Sequence, residues 1–229
     1  MFNHIQTSII GAHSQKQDAI KYYEDESRVV AVVADGLGSK ERSAEGAKLV
    51  CRLLCRELRG KPLPLEPTEG LLTPGWWQSY LTSRECDPND YCTTCSFVVV
   101  DKLTQRICLG QIGDSPIFVH IDDDEVVEMR PEKDFANCTD CLGGGQICVF
   151  DIKNYSYRSS LRVFISTDGI GDELSSEVLP GLLDYLAEKY QAYQRCARSR
   201  QFTKEIKACL GSANRDDKSA IYIWKNSRM

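Results

Sequence analysis

The stretch RVVAVVADGLG, residues 28–38, decides the fold class of this chain. Its first seven residues form a continuous apolar run, which is typical of a strand covered on both faces. The run ends in Asp35-Gly36-Leu37-Gly38, where a carboxylate is followed at once by glycine. We therefore predict a buried strand that delivers an acidic side chain to the rim of its sheet.

Similar runs recur along the chain, with helices between groups of strands. A stripe of apolar residues at helical spacing predicts a helix over residues 41–58, with Ser43 as its cap. Further helices are predicted over 76–84, 203–210 and 175–198, the last with a break at Pro180-Gly181. Paired helices between consecutive strands favour an α+β fold of antiparallel sheets with helices packed outside. The other predicted strands are residues 96–100, 107–112, 116–121, 161–166, 220–224 and, more weakly, 4–10.

Charge and composition restrict the functional class. The chain has 229 residues, and its 28 basic and 33 acidic residues give a net charge of −5. An acidic chain is unsuited to nucleic acid or an anionic membrane as its main partner, because both attract clustered Lys and Arg. Residues 1–8 lack the pattern of a signal peptide, so we expect a soluble cytoplasmic protein with one domain.

Cysteine is the one unusual residue type, with 11 copies. An odd number excludes a complete set of internal disulfides, and reduced thiols are expected. The pairs Cys92/Cys95 and Cys138/Cys141 have the spacing of zinc ligands. Small buried thiols explain the same residues, because free cysteine packs like a small apolar side chain. The sequence leaves both interpretations open.

Acidic residues stand at the ends of several predicted strands. Asp35, Asp114 and Asp168 each follow a strand, Asp18 follows the first, and Asp216 precedes the last. One Asp-Gly pair alone indicates only a turn. Several carboxylates on a shared rim would repel one another unless cations lay between them. Because no His or Cys accompanies these positions, the donors are hard oxygens, which favour Mg²⁺ or Mn²⁺ over zinc.

In their order along the chain, these motifs resemble the metal-dependent serine/threonine protein phosphatases, often called the protein phosphatase 2C family, and most closely a compact bacterial branch. The resemblance implies a four-layer α/β/β/α sandwich, two antiparallel sheets flanked by helix pairs. It also implies one catalytic domain over residues 1–229, with a flap at about residues 131–150. The motifs are Gln17-Asp18-Ala19, Asp35-Gly36-Leu37-Gly38, Glu45-Gly46-Ala47, Cys92-Thr93, Gly113-Asp114-Ser115, Thr167-Asp168-Gly169 and Asp216-Asp217-Lys218-Ser219.

The resemblance also implies roles for single residues. Asp35 is similar to the aspartate that bridges two metal ions, and the Gly36 carbonyl to a ligand of the second ion. Asp168 and Asp216 correspond to ligands of the first ion. These three aspartates are the candidate catalytic residues, because they would hold the metal-bridged water that attacks phosphorus.

Two further acids are implied as metal-site residues. Asp18 corresponds to an acid that holds metal-bound water, and Asp114, with Asp168, to a weaker third site. The implied cofactors are two core Mg²⁺ or Mn²⁺ ions and a third beside them.

Two positions depart from the family pattern. His13 stands where an arginine usually grips the substrate phosphate, and Leu37 stands where many members carry a histidine. His13 or Lys16 is therefore the candidate phosphate contact. The implied function is hydrolysis of phosphoserine and phosphothreonine in proteins, opposed to a cognate kinase system. Two alternatives remain: a catalytically weak relative that binds phosphoproteins, and a zinc-stabilised interaction protein.

Overall fold

Ten strands form two sheets in the computed structural model, which describes residues 2–68, 70–122, 124–131 and 139–226. The β10 sheet has the order β1-β10-β9-β6-β7, the β3 sheet has the order β2-β3-β4-β5-β8, and every neighbouring pair is antiparallel. The strands are β1 Asn3–Ile9, β2 Ala19–Glu24, β3 Arg28–Ala34, β4 Cys95–Asp101, β5 Arg106–Ile112, β6 Ile117–Ile121, β7 Glu125–Met129, β8 Asp151–Ser156, β9 Leu161–Ser166 and β10 Lys218–Lys225.

Helices cover the outer faces of both sheets. Residues of α1 and α2 share a core with the β3 sheet, and residues of α4 and α5 share another with the β10 sheet. A third core lies between the sheets, so the predicted four-layer α/β/β/α sandwich is confirmed. The helices are α1 Ser43–Leu58, α2 Trp76–Thr82, α3 Asp168–Gly171, α4 Leu179–Gln191 and α5 Arg195–Leu210, with 3₁₀ turns at Gly70–Leu72 and Pro88–Tyr91.

Strand β3 explains why its apolar run is continuous. Val29, Ala31 and Val33 face the core between the sheets, whereas Val30 and Val32 face the α1 layer. Alternate side chains of a strand point to opposite faces, and here both faces are covered. Each fully buried side chain of this kind contributes roughly 1.5–3 kcal/mol. The decisive stretch is thus the centre of the sandwich.

The prediction of one interrupted helix over 175–198 is wrong. Helix α4 begins at Leu179 with Pro180 in its first turn, where the missing N–H is tolerated. The chain instead leaves the helix between Gln191 and Arg195, and α5 starts eight residues before the predicted 203. Pro180 starts a helix rather than interrupting one.

The predicted cap of α1 is also wrong. Arg42 occupies the N-cap position without a side-chain cap, and the Ser43 hydroxyl donates to the Lys40 carbonyl at 3.2 Å. Three strands went unpredicted: β2, β7 and β8. All three are edge strands with partly exposed residues, so they lack a long apolar run.

The predicted flap at 131–150 falls partly on residues 132–138, which lie outside the described residues. In its described part, Leu142 and Thr93 exchange two backbone hydrogen bonds of 2.9 and 3.1 Å. This contact places the segment beside the start of β4. None of the described helices has both the length and the apolar character that a membrane crossing requires.

Candidate metal centre

A cleft of about 230 Å³ opens where the acidic strand ends converge. Asp35 directly follows β3, and Asp168 opens α3 directly after β9 and Thr167. Asp114 follows β5, and Asp216 precedes β10. These four carboxylates and Gly36 all line the cleft. The two sheets thus bring together residues that lie far apart in the sequence, from Asp35 to Asp216.

Backbone and threonine contacts fix Asp35. Its N–H donates to the Thr94 hydroxyl at 3.1 Å. Its carbonyl accepts from the Thr94 N–H at 2.8 Å and from the Thr93 hydroxyl at 2.9 Å. The side chain of Asp35 therefore projects into the cleft from a well-held backbone position.

Asp18 lies behind Asp35 and is almost completely buried. It accepts a hydrogen bond of 2.8 Å from the Thr167 hydroxyl and is hydrogen-bonded to the side chain of Asp35. Burial is the main cause that raises the pKa of Asp18 to about 6. Burial, followed by the charges of Asp18 and Asp168, raises the pKa of Asp35 well above its usual value.

Asp168 and Asp114 form the other half of the acidic cluster. Burial, then the charges of Asp114 and Asp216, raises the pKa of Asp168 to about 7. Asp114 accepts a hydrogen bond of 2.8 Å from the Thr139 hydroxyl. Carboxylates whose pKa values rise through mutual repulsion are stabilised by divalent cations.

The donor set fits Mg²⁺ or Mn²⁺. The converging groups are carboxylate oxygens, with a glycine carbonyl beside them, and hard divalent cations prefer such ligands. Within the described ranges, no three acidic, histidine or cysteine side chains are already arranged to hold one ion. The burial of the carboxyl groups, together with their crowding, raises the pKa values of Asp18, Asp35 and Asp168.

A buried lysine shapes the turn that carries Asp216. The Lys218 ammonium donates to the Asn214 carbonyl at 3.2 Å, to the Asn214 side-chain oxygen at 2.9 Å and to the Asp216 carbonyl at 3.0 Å. Asn214 in turn donates to the Gly169 carbonyl at 3.1 Å, which joins the turn to α3. This network was not predicted, because the sequence shows Lys218 only as a member of a motif and does not show its contacts.

The two candidate phosphate contacts lie in different places. His13 lines the cleft, and its Nε2 lies 3.9 Å from a carboxylate oxygen of Asp216. The Lys16 ammonium donates to the Ser8 hydroxyl at 2.7 Å, and Lys16 is not among the residues that line the cleft. Leu37 also lines the cleft.

The cysteines of the two CxxC pairs lie in different surroundings. Cys95 packs in the core between α1 and the β3 sheet. Cys92 donates to the Asn89 carbonyl at 3.2 Å and contacts the Cys141 thiol. Cys138 lies outside the described residues. None of the ten cysteines in the described part of the chain forms a disulfide.

The fold and the sequence profile assign this chain to one family of protein phosphatases. The chain belongs to the protein phosphatase 2C family, whose sequence profile matches residues 5–211. Its enzyme class is therefore protein serine/threonine phosphatase.

Solved structures agree with this fold. RsbX in complex with magnesium aligns over 98% of this chain and 96% of its own, at 15% identity and a TM-score of 0.64. The catalytic domain of the phosphatase PstP with 2 manganese ions aligns over 98% and 97%, at 14% identity and 0.63. The phosphatase Stp1 from Staphylococcus aureus aligns over 100% and 96%, at 16% identity and 0.66. No curated protein sequence matches the chain.

Proposed function

We propose that this chain hydrolyses phosphoserine and phosphothreonine in proteins, with Mg²⁺ or Mn²⁺ held by Asp35, Asp168 and Asp216. One observation carries the proposal: aspartates from both sheets converge on one cleft, and the pKa values of Asp35 and Asp168 are raised by burial and by neighbouring carboxylates. Neighbouring structures that contain magnesium or manganese support the choice of ion.

The residues of the cleft have separate tasks in this proposal. Asp35 would hold both core ions, the Gly36 carbonyl would hold the second, and Asp168 and Asp216 would hold the first. Asp18, held by Thr167, orients water beside them. When bound, the ions supply Lewis acidity, which acidifies water and neutralises the charge that develops on the phosphoryl group.

A third ion beside Asp114 and Asp168 is part of the proposal. Asp114→Ala should keep two core ions and lower turnover at least about tenfold, a loss of about 1.4 kcal/mol in transition-state stabilisation. Thr139→Val is the matched variant, because it removes the 2.8 Å hydrogen bond but leaves the carboxylate. It should lower turnover less. Unchanged turnover in Asp114→Ala with two ions bound would exclude a catalytic third site.

The substrate is a phosphorylated protein, and a serine/threonine kinase must supply it, because a phosphoester on a protein side chain is a kinase product. His13 is the nearer candidate for the phosphate contact, since it lines the cleft and Lys16 is bonded elsewhere. We place the reaction in the cytoplasm, in one catalytic domain formed by residues 1–229.

The test is phosphate release from a phosphothreonine peptide. The wild type with Mn²⁺ should turn over, a chelator should stop the reaction, and restored Mn²⁺ should restart it. Asp35→Asn should lose nearly all activity while it keeps its fold by circular dichroism. Turnover that survives the chelator, or an active Asp35→Asn variant, would contradict the proposal.

A second candidate function is phosphoprotein binding without efficient turnover. It is favoured by one observation: His13 and Leu37 line the cleft where the family usually has arginine and often histidine. In that case the Mn²⁺-loaded protein should bind a phosphopeptide but release no phosphate. Calorimetry and the release assay on one preparation distinguish the two functions.

A further inference from the structure

One buried carboxylate closes the loop that carries His13. Asp217 Oδ1 accepts the N–H of Gly11 at 2.7 Å, and Asp217 Oδ2 accepts the N–H of Gln17 at 2.6 Å. The same Oδ2 accepts the N–H of Asp18 at 3.2 Å. Both ends of the loop between β1 and β2 therefore meet on a single side chain that is 5% exposed.

The loop is also packed against the turn that contains Asp217. The Ala12 N–H donates to the Arg215 carbonyl at 2.8 Å. A side chain at Gly11 would meet the carbonyl carbon of Asp216 at 2.5 Å, so only glycine fits this approach. The Asp216 turn and the His13 loop are thus joined as one unit at the rim of the cleft.

The chemistry of this contact calls for a carboxylate. An ionised aspartate only accepts hydrogen bonds, and its two oxygens can serve donors on both sides. An asparagine would place an NH₂ group against one of the backbone N–H groups of the loop. The change from Asp217 to Asn therefore releases one end of the loop without changing the size of the side chain.

We propose that Asp217 is a positioning residue for substrate binding: it closes residues 11–17 into the conformation that holds His13 over the cleft. The inference rests on the proposed function, because it assumes that His13 contacts the substrate phosphate. Asp217 also lines the cleft, but both of its carboxylate oxygens are engaged by backbone N–H groups of the loop, so its role is to position the loop.

The test compares the wild type, Asp217→Asn, His13→Ala and the double variant by steady-state kinetics with Mn²⁺ and a phosphothreonine peptide. Each single variant should raise KM about fivefold with kcat within about twofold, the sign of lost uniform binding. The double variant should be no worse than either single variant, because both remove the same contact. Two ions should remain bound in all four proteins.

Asp122→Asn is the matched control. Asp122 also accepts three backbone N–H groups, those of Arg158, Ser159 and Ser160, but it lies outside the cleft lining. This variant should lower the melting temperature and leave KM unchanged. Gly11→Ala is the second variant should Asp217→Asn fail to fold, because it forces the loop off the turn and leaves Asp217 intact. It should raise KM in the same way.

An unchanged KM in Asp217→Asn, or a double variant whose effects multiply, would overturn the inference. Failure of the proposed function has a separate sign, since the wild type itself would then show no turnover. In that case the four proteins are compared by calorimetric binding of inorganic phosphate to the Mn²⁺-loaded state. The same pattern in the dissociation constants would support the role of Asp217, and equal constants would refute it.

Discussion

Threonine hydroxyls orient the acidic residues of the cleft. Thr167 donates to Asp18, and Thr139 donates to Asp114, each at 2.8 Å. Thr93 and Thr94 hold the backbone of Asp35. A hydroxyl fixes the direction of a carboxylate but carries no charge to neutralise it. The negative charge of the cluster therefore stays available to cations.

The raised pKa of Asp168 predicts that the stability of the chelated protein depends on pH. The pKa of Asp168 is raised to about 7, so the folded state binds its proton more tightly than the unfolded chain does. Stability is then lost as pH rises from about 4, the unfolded pKa, through the folded value, at about 1.4 kcal/mol per pKa unit of difference. Asp168→Asn removes this loss. Its melting temperature in chelator should exceed that of the wild type, and the difference should grow between about pH 5 and about pH 8.

Thermal denaturation of both proteins across this range measures the effect. A difference that is constant with pH, or that shrinks as pH rises, would show that the Asp168 carboxyl is not held protonated by the fold. Excess Mn²⁺ should reverse the order, because the wild type then gains binding energy that the variant cannot gain.

Lys218 supports a second prediction at this scale. Lys218→Met keeps the length and the burial of the side chain but removes three hydrogen bonds in the Asp216 turn. A looser turn should weaken Mn²⁺ binding about fivefold, which corresponds to about 1 kcal/mol, the usual net contribution of one hydrogen bond. Calorimetry measures this affinity without reference to turnover. Equal affinities in the two proteins would show that the ammonium group does not position Asp216.

The sequence predicted the roles of residues that stand in a recognisable local pattern. Asp35 and Asp168 end apolar runs, and that pattern alone predicted carboxylates at strand ends. Thr139 and Lys218 could not be predicted in the same way, because their roles depend on contacts with Asp114 and Asn214 that only the folded chain creates. Composition and spacing do not encode such contacts.

At the scale of elements, burial decided which strands could be predicted. Strand β3 is buried along its whole length, and its continuous apolar run therefore predicted a strand. Strand β8 has exposed and polar residues on an edge, so its sequence resembles a loop. Helix α1 combines both cases: its apolar stripe predicted the helix, but the helix begins after Arg42 without a capping side chain that the sequence could reveal.

Helix α1 should be essential to stability through its buried face. Leu54 is fully buried in the core that α1 forms with the β3 sheet. Leu54→Ala should destabilise the protein by about 2–5 kcal/mol, the range for large apolar side chains in cores. Leu103→Ala is the control, because Leu103 is 77% exposed and should cost little. Denaturant titration of both variants measures the difference, and similar midpoints would contradict the packing described for α1.

At the scale of the whole molecule, three apolar cores stabilise the fold of the sandwich. Six of the ten described cysteines are buried, and Cys51, Cys55 and Cys95 pack in the core around α1. Such thiols behave as small apolar side chains. We therefore expect the stability of the fold to be independent of disulfides and of zinc.

Melting curves test this expectation. A reducing agent and a zinc-selective chelator should each leave the melting temperature nearly unchanged. A large decrease with the chelator that Mn²⁺ does not restore would show that Cys92, Cys95, Cys138 and Cys141 hold zinc. Elemental analysis of the purified protein provides the independent check.

The acidic cleft as a metal centre is tested most directly by calorimetric titration of Mn²⁺ into chelator-treated protein in two buffers of different ionisation enthalpy. Because the pKa values of Asp18 and Asp168 are raised to about 6 and about 7, binding near pH 6.5 should release protons. We predict at least two ions per chain, proton release in the wild type, and a loss of ions in Asp35→Asn and Asp168→Asn. No saturable binding, or identical isotherms for the wild type and both variants, would contradict this assignment.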